Sequence, residues 1–167
     1  MEIMVAIVIA GIITTIGVLG FRKTINHQKL KGESGRAMSK LRYISDEARV
    51  SKKRVGVYSN FTHNVFYAWF DDNANGVFDT GETMLDSMRV GPGIRLLAGK
   101  RGSELKSGEM FFTIYGDGAP SIDIRLALYS IETKEFKGIL MRQTSGWVEE
   151  YELTSGEKTS LATYINK

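Results

Sequence analysis

Nineteen consecutive residues, Ile3 to Phe21 (IMVAIVIAGIITTIGVLGF), carry no charge, and no other feature constrains the fold of this chain as much. As a helix rising ~1.5 Å per residue, such a run spans roughly 28 Å, about the thickness of a bilayer hydrocarbon core. A helix satisfies its own backbone groups there, which irregular chain does not. Two readings compete. A buried core helix that is apolar on every face needs a larger protein around it, and 167 residues suffice for one domain and little more. A cleaved secretory signal should begin with a basic stretch, whereas this chain begins Met1-Glu2 and its basic pair Arg22-Lys23 follows the apolar run. Gly11, Gly17 and Gly20 weaken the helix locally and let neighbouring helices approach closely.

Glu2 stands at the edge of this run. It is either a carboxylate in the headgroup zone or one that pairs with a cation on a neighbouring chain, since ionisable groups at membrane depth are expensive and tend to be functional.

The charge divides the remainder in two. Residues 22–54 hold eleven Lys/Arg against three Asp/Glu, and residues 55–167 hold eleven against fifteen. The chain therefore reads as an apolar head (1–21), a basic neck (22–54) and a mildly acidic body (55–167). Along the neck Leu30, Ala37, Leu41, Ile44 and Ala48 form one apolar stripe at helical spacing. The reading is a single long helix, apolar all round at first and amphipathic later, with Gly32 and Gly35 as sites for a bend. Its basic face is either solvated or drawn to anionic lipid. Taken alone, cations after an apolar segment suggest a cytoplasmic C-terminal side.

In the body the pattern changes to short strands between turn clusters, in keeping with 18 glycines and two prolines. The strands are expected at 55–58, 65–70, 83–90, 94–97, 110–115, 122–129, 139–142 and 147–153. Val65–Phe70 is apolar on both faces and should be central. Gly116-Asp117-Gly118 and Thr144-Ser145-Gly146 read as hairpin turns. The fold class is α+β: a long N-terminal helix packed on an antiparallel sheet.

One local motif is specific. Asp71-Asp72-Asn73-Ala74-Asn75-Gly76-Val77-Phe78-Asp79-Thr80-Gly81-Glu82 fits the twelve-residue calcium loop at every fixed position. The ligands would be Asp71, Asn73, Asn75, the Val77 carbonyl, Asp79 and Glu82. The strand-rich flanks do not fit an EF-hand, so the alternative is a long hairpin loop that uses Asp, Asn and Gly for turn geometry. Calcium is the one cofactor suggested. There is no cysteine, and the two histidines, His27 and His63, have no companion at metal-ligand spacing. No nucleophile elbow, phosphate loop or zinc-protease motif occurs, so an enzyme is not expected. Lys52-Lys53-Arg54 offers phosphate contacts without interleaved aromatics, which makes DNA a weak partner.

The residues Glu2-Ile3-Met4-Val5-Ala6-Ile7-Val8-Ile9-Ala10-Gly11-Ile12 resemble the N-terminal core of type IV pilins and pseudopilins. Downstream the chain is similar to the GspH/FimT-type minor pseudopilins, over Leu41 to Val57 with Ala48-Arg49, the Asp71–Glu82 loop after Trp69-Phe70, Phe112–Gly118, and Ser145-Gly146-Trp147-Val148. The resemblance implies a pilin-like subunit of a type II secretion or type IV pilus assembly. It would be a single-pass inner-membrane protein with a periplasmic domain, processed by a prepilin peptidase, methylated, and assembled with other pilins on an inner-membrane platform into a periplasmic or surface pilus. Glu2 would then pair with the N-terminal amine of a neighbouring subunit. A surface pilin that captures DNA is the alternative. Two departures stand out. The family carries a basic leader, a glycine cleavage site and a few residues before the glutamate, whereas here Met1 directly precedes Glu2, so a late-started reading of the chain is expected. The family's helix-kinking proline is also missing.

Overall fold

Residues 2–165 are described in a computed structural model of the chain, with side chains from residue 24 onward together with Met4 and Ile7. The apolar stripe organises everything that follows. Helix α1 (Glu2–Ser51) runs unbroken for 50 residues, about 75 Å at the usual rise. It passes Gly32 and Gly35 without leaving the helix. Leu30, Ala37, Leu41, Ile44 and Ala48 are all buried, as their spacing demands. The helix stops at Ser51, three residues short of the end of the basic neck. There Lys52 takes the left-handed conformation (φ 58°) that commonly ends helices.

Nine strands follow: β1 (Val55–Asn60), β2 (Val65–Phe70), β3 (Met84–Arg89), β4 (Ile94–Arg101), β5 (Glu104–Lys106), β6 (Glu109–Ile114), β7 (Ile124–Ser130), β8 (Phe136–Met141) and β9 (Val148–Tyr151). A short helix, α2 (Ser155–Ala162), comes last. Each of the eight expected strands is present, but they form two antiparallel sheets rather than one. The first has the order β3-β2-β1-β6 and the second β5-β4-β7-β8-β9. As expected, β2 is internal, sending Phe66 and Ala68 to the core and Tyr67 and Trp69 to the outer face.

The main core lies between α1 and the inner faces of both sheets. It joins the helix stripe to Val55, Val57, Phe66, Phe112, Leu126, Leu128 and Ile139, among others. A second, smaller core sits on the outer face of the five-stranded sheet beneath α2, where Leu153 and Leu161 meet Leu97, Ala98, Ala127 and Tyr129. A register irregularity between Leu96 and Ala98 turns two consecutive residues, Leu97 and Ala98, towards α2, while Leu96 faces α1.

Candidate functional site

Helix α1 presents the first candidate surface. Glu2, the expected assembly residue, opens the helix, but its side chain lies outside the described residues. Met4 and Ile7, the described side chains of the apolar run, are 77% and 66% exposed. Among the described residues no helix is long and apolar enough to cross a membrane; most side chains of the Ile3–Phe21 run fall outside that set.

The neck cations have a more specific task than solvation. Lys40 Nζ is 2.6 Å from Asp86 Oδ1 on β3. Arg42 donates through Nη2 to the Val148 carbonyl at 2.7 Å and lies over the Trp147 ring. Arg36 Nη2 donates to the Arg89 carbonyl. Arg49 Nε donates to the Asp117 carbonyl at 2.7 Å, and its Nη2 donates to that of Ser145. Lys53 pairs with Asp72 at 3.0 Å. Those on α1 fasten the helix to turns and strand ends of the body, and Lys53 holds the start of the Asp71–Glu82 loop. His27, at the start of the described contact, lies 2.8 Å from Glu135 Oε2.

Three of the segments that carry the family resemblance meet at one junction. Ser45 Oγ donates to the Gly118 carbonyl at 2.6 Å in a buried contact. Gly118 (φ 79°) and Gly146 (φ 66°) both sit in the left-handed region, and a Cβ on Gly146 would fall 2.0 Å from the Gly118 carbonyl oxygen. Ala48-Arg49, the 116–118 turn and the 144–146 turn are therefore one packed unit, and only glycine fits its two contact points.

The Asp71–Glu82 loop joins β2 to β3 and folds against the outer face of the four-stranded sheet. Phe78 meets Trp69 edge-on with ring centroids 5.8 Å apart. Gly76 (φ 76°) packs under Phe111, which a Cβ would approach to 2.8 Å. Most of the expected calcium ligands are already engaged by neighbouring groups. The Asp71 carboxylate is fully buried, lies 3.0 Å from Arg54 Nε and accepts from the Gly76 backbone at 3.2 Å. The Arg54 contact is an ion pair by distance, since Arg54 Nε makes no aligned hydrogen bond. Asn73 and Asn75 donate through their amides to Asp79 Oδ2 at 2.8 and 2.6 Å, which holds the Asp79 carboxyl below the usual carboxylate range. The Asn75 side-chain oxygen accepts from Val77 N, and Val77 itself is exposed. Glu82 Oε2 accepts from Asp79 N at 3.0 Å, while its Oε1 is buried without a hydrogen-bond partner. Among the described residues no group of three or more His, Cys, Asp or Glu is gathered to hold a metal.

The sequence reading missed the anchoring role of the cations, the Ser45 junction and α2. For α2 the signal was present, because Thr154-Ser-Gly-Glu157 is a capping box. Its Thr154 Oγ1 accepts from Glu157 N and its Glu157 carboxylate accepts from Thr154 N.

No family model matches the sequence, and comparison with curated proteins finds no match. Among solved structures the chain is similar to the minor pseudopilin EpsH of the type II secretion system of Vibrio cholerae. That likeness has a TM-score of 0.57 at 14% identity, covering 74% of this chain and 96% of that one. It is also similar to the type IV minor pilin FimU of Pseudomonas aeruginosa, with a TM-score of 0.53 at 12% identity, covering 75% and 90%. An N-terminal helix packed on antiparallel sheets, the α+β architecture found here, matches the GspH/FimT-like pilin fold of these neighbours.

Proposed function

We propose that this chain is a non-enzymatic minor pilin or pseudopilin subunit of a type II secretion or type IV pilus machine. The observation that carries the reading is the single unbroken helix Glu2–Ser51, which puts an uncharged 19-residue run in line with a half that is locked to the body. Anchored in the bacterial inner membrane, that run would trade lipid for the helices of sister subunits, with close approach at its glycines. The body would face the periplasm. The same contact repeated head to tail, with a rotation that does not close, would build an open filament. Other pilins, an inner-membrane assembly platform and a prepilin peptidase are the partners this role needs. The fold shared with EpsH and FimU supports it.

Glu2 would supply the docking charge, since opposite charges attract strongly in a low-dielectric helical bundle and an unpaired one is costly there. The test is Glu2→Ala in cells that make the pilus. The expected result is normal membrane insertion with loss from sheared or cross-linked filaments; undiminished incorporation overturns the reading.

Capture of DNA is the rival proposal. It would rest on Lys29, Lys31 and Lys52, because the cations described above are already engaged by the body. Retention of duplex DNA that falls steeply with added salt would support it.

A lesser proposal gives the Asp71–Glu82 loop a calcium ion. The buried, unpartnered Glu82 Oε1 supports it. Asn73 and Asn75 would have to turn their oxygens inward. Calorimetric titration of the purified chain with calcium tests it, and an absence of binding heat removes it.

A further inference from the structure

Helix α2 covers only part of the outer face of the five-stranded sheet, leaving a cavity of about 370 Å³ beside it. The floor is made of small residues, Ala98, Gly99 and Ala127, and the walls include Leu105, Leu153 and Leu161. Two cations stand together at its rim. Lys100 of β4 and Arg125 of β7 occupy directly opposite register positions, where like charges repel.

Their compensation is incomplete. Arg125 lies over the Tyr151 ring, and its Nη1 is 3.7 Å from Glu157 Oε1, beyond hydrogen-bond reach. Glu157 is otherwise committed to the α2 cap, where its Oε2 accepts from Thr154 N at 2.9 Å and from Thr154 Oγ1 at 3.1 Å. The Lys100 ammonium makes no hydrogen bond or ion pair with any described residue. Two cations and one carboxylate therefore border a largely apolar cleft, an arrangement that favours a bound monoanion. A dianion such as phosphate would meet Glu157 at close quarters. Ser103, Thr154 and Ser160 also line the cleft; Thr154 Oγ1 and Ser160 Oγ already donate to Glu157 and to the Gly156 carbonyl, so their remaining lone pairs suit the N–H of an amide rather than a bare hydrocarbon chain.

We propose that this cleft takes the free C-terminus of a polypeptide whose last residue is aliphatic. The carboxylate sits between Lys100 and Arg125, the terminal side chain packs against Leu105, Leu153 and Leu161, and the last amide meets the hydroxyls. The site is independent of Glu2 and of filament assembly.

The test uses the full chain in phospholipid nanodiscs, with the alanine methyl groups labelled for NMR and N-acetyl-leucine as the probe. The expected result is a saturable shift of the Ala98 and Ala127 methyl signals. N-acetyl-leucinamide, which lacks the charge, should bind about tenfold more weakly or worse, and so should N-acetyl-leucine with the Lys100→Gln variant. A Cβ on Gly156 meets no atom within 4 Å. Gly156→Leu should therefore fill the cleft and abolish the shifts without lowering the unfolding temperature. No saturable shift, equal binding of the amide, or unchanged affinity in Lys100→Gln overturns the proposal. Hexanoate binding as tightly as N-acetyl-leucine overturns the assignment to a peptide end.

Discussion

Ser45 of the long helix and Gly118 of a surface turn are joined by a buried 2.6 Å hydrogen bond, although 73 residues separate them in sequence. The bond ties the last turns of α1 to the link between the two sheets. Removing the donor leaves the carbonyl to be desolvated alone, so Ser45→Ala should cost about 1–3 kcal/mol. Gly146→Ala should cost more, roughly 3 kcal/mol or above, because its Cβ meets the Gly118 backbone oxygen rather than a side chain that can move. Denaturant unfolding of the two variants checks the order.

The face of α1 that holds the body is equally open to test. Leu41 is fully buried and Val50 is 79% exposed, nine residues further along the same helix. Leu41→Ala should cost about 2–5 kcal/mol through a core cavity, and Val50→Ala less than about 0.5 kcal/mol. Similar losses at both positions would mean that the helix docks through another face.

At the base of the acidic loop, Asp71 is buried against Arg54 and the Gly76 amide. Asp71→Ala strands both donors and should cost roughly 3 kcal/mol, near the lower end for breaking a buried pair because Arg54 is partly exposed. Phe78 should lose its edge contact with Trp69 at the same time. The change would be read in the near-ultraviolet circular dichroism of that indole.

Burial beside Glu157 pushes the Tyr151 hydroxyl up to about 12, with desolvation the larger cause and Arg125 opposing it. The folded state therefore keeps a proton that the unfolded chain releases near the ordinary value of about 10. Stability from this group is complete below about pH 10 and falls as pH rises towards 12. Tyr151→Phe should flatten that alkaline decline. In a spectrophotometric titration of the native chain, Tyr151 should ionise among the last of the seven tyrosines.

Much of the architecture was legible because it depends on local periodicity. The apolar stripe from Leu30 to Ala48 and the alternation in Ile124, Leu126 and Leu128 each declare a buried face without reference to anything distant. The division into two sheets was not legible. One pairing in each sheet, β1 with β6 and β4 with β7, joins segments far apart in sequence, and alternation says which face is buried but not which neighbour covers it. The roles of Arg42 and Arg49 were hidden for the same reason, since their partners are backbone carbonyls in remote turns and a carbonyl leaves no mark on the sequence. Among the candidate sites, the Asp71–Glu82 motif foretold a loop rich in side-chain caps. Its amides, however, point their nitrogens at Asp79, an orientation that composition does not encode. The pairing of Lys100 with Arg125 was invisible until the β4–β7 register placed them side by side.

A helix that continues without a joint from Glu2 to Ser51 also has a mechanical consequence. Tension applied at its apolar end is delivered along the rod to the whole docked stretch, from the buried Leu30 to the clasp formed by Ser45, Arg49 and the two glycine turns. The body would travel with the rod as a rigid bead.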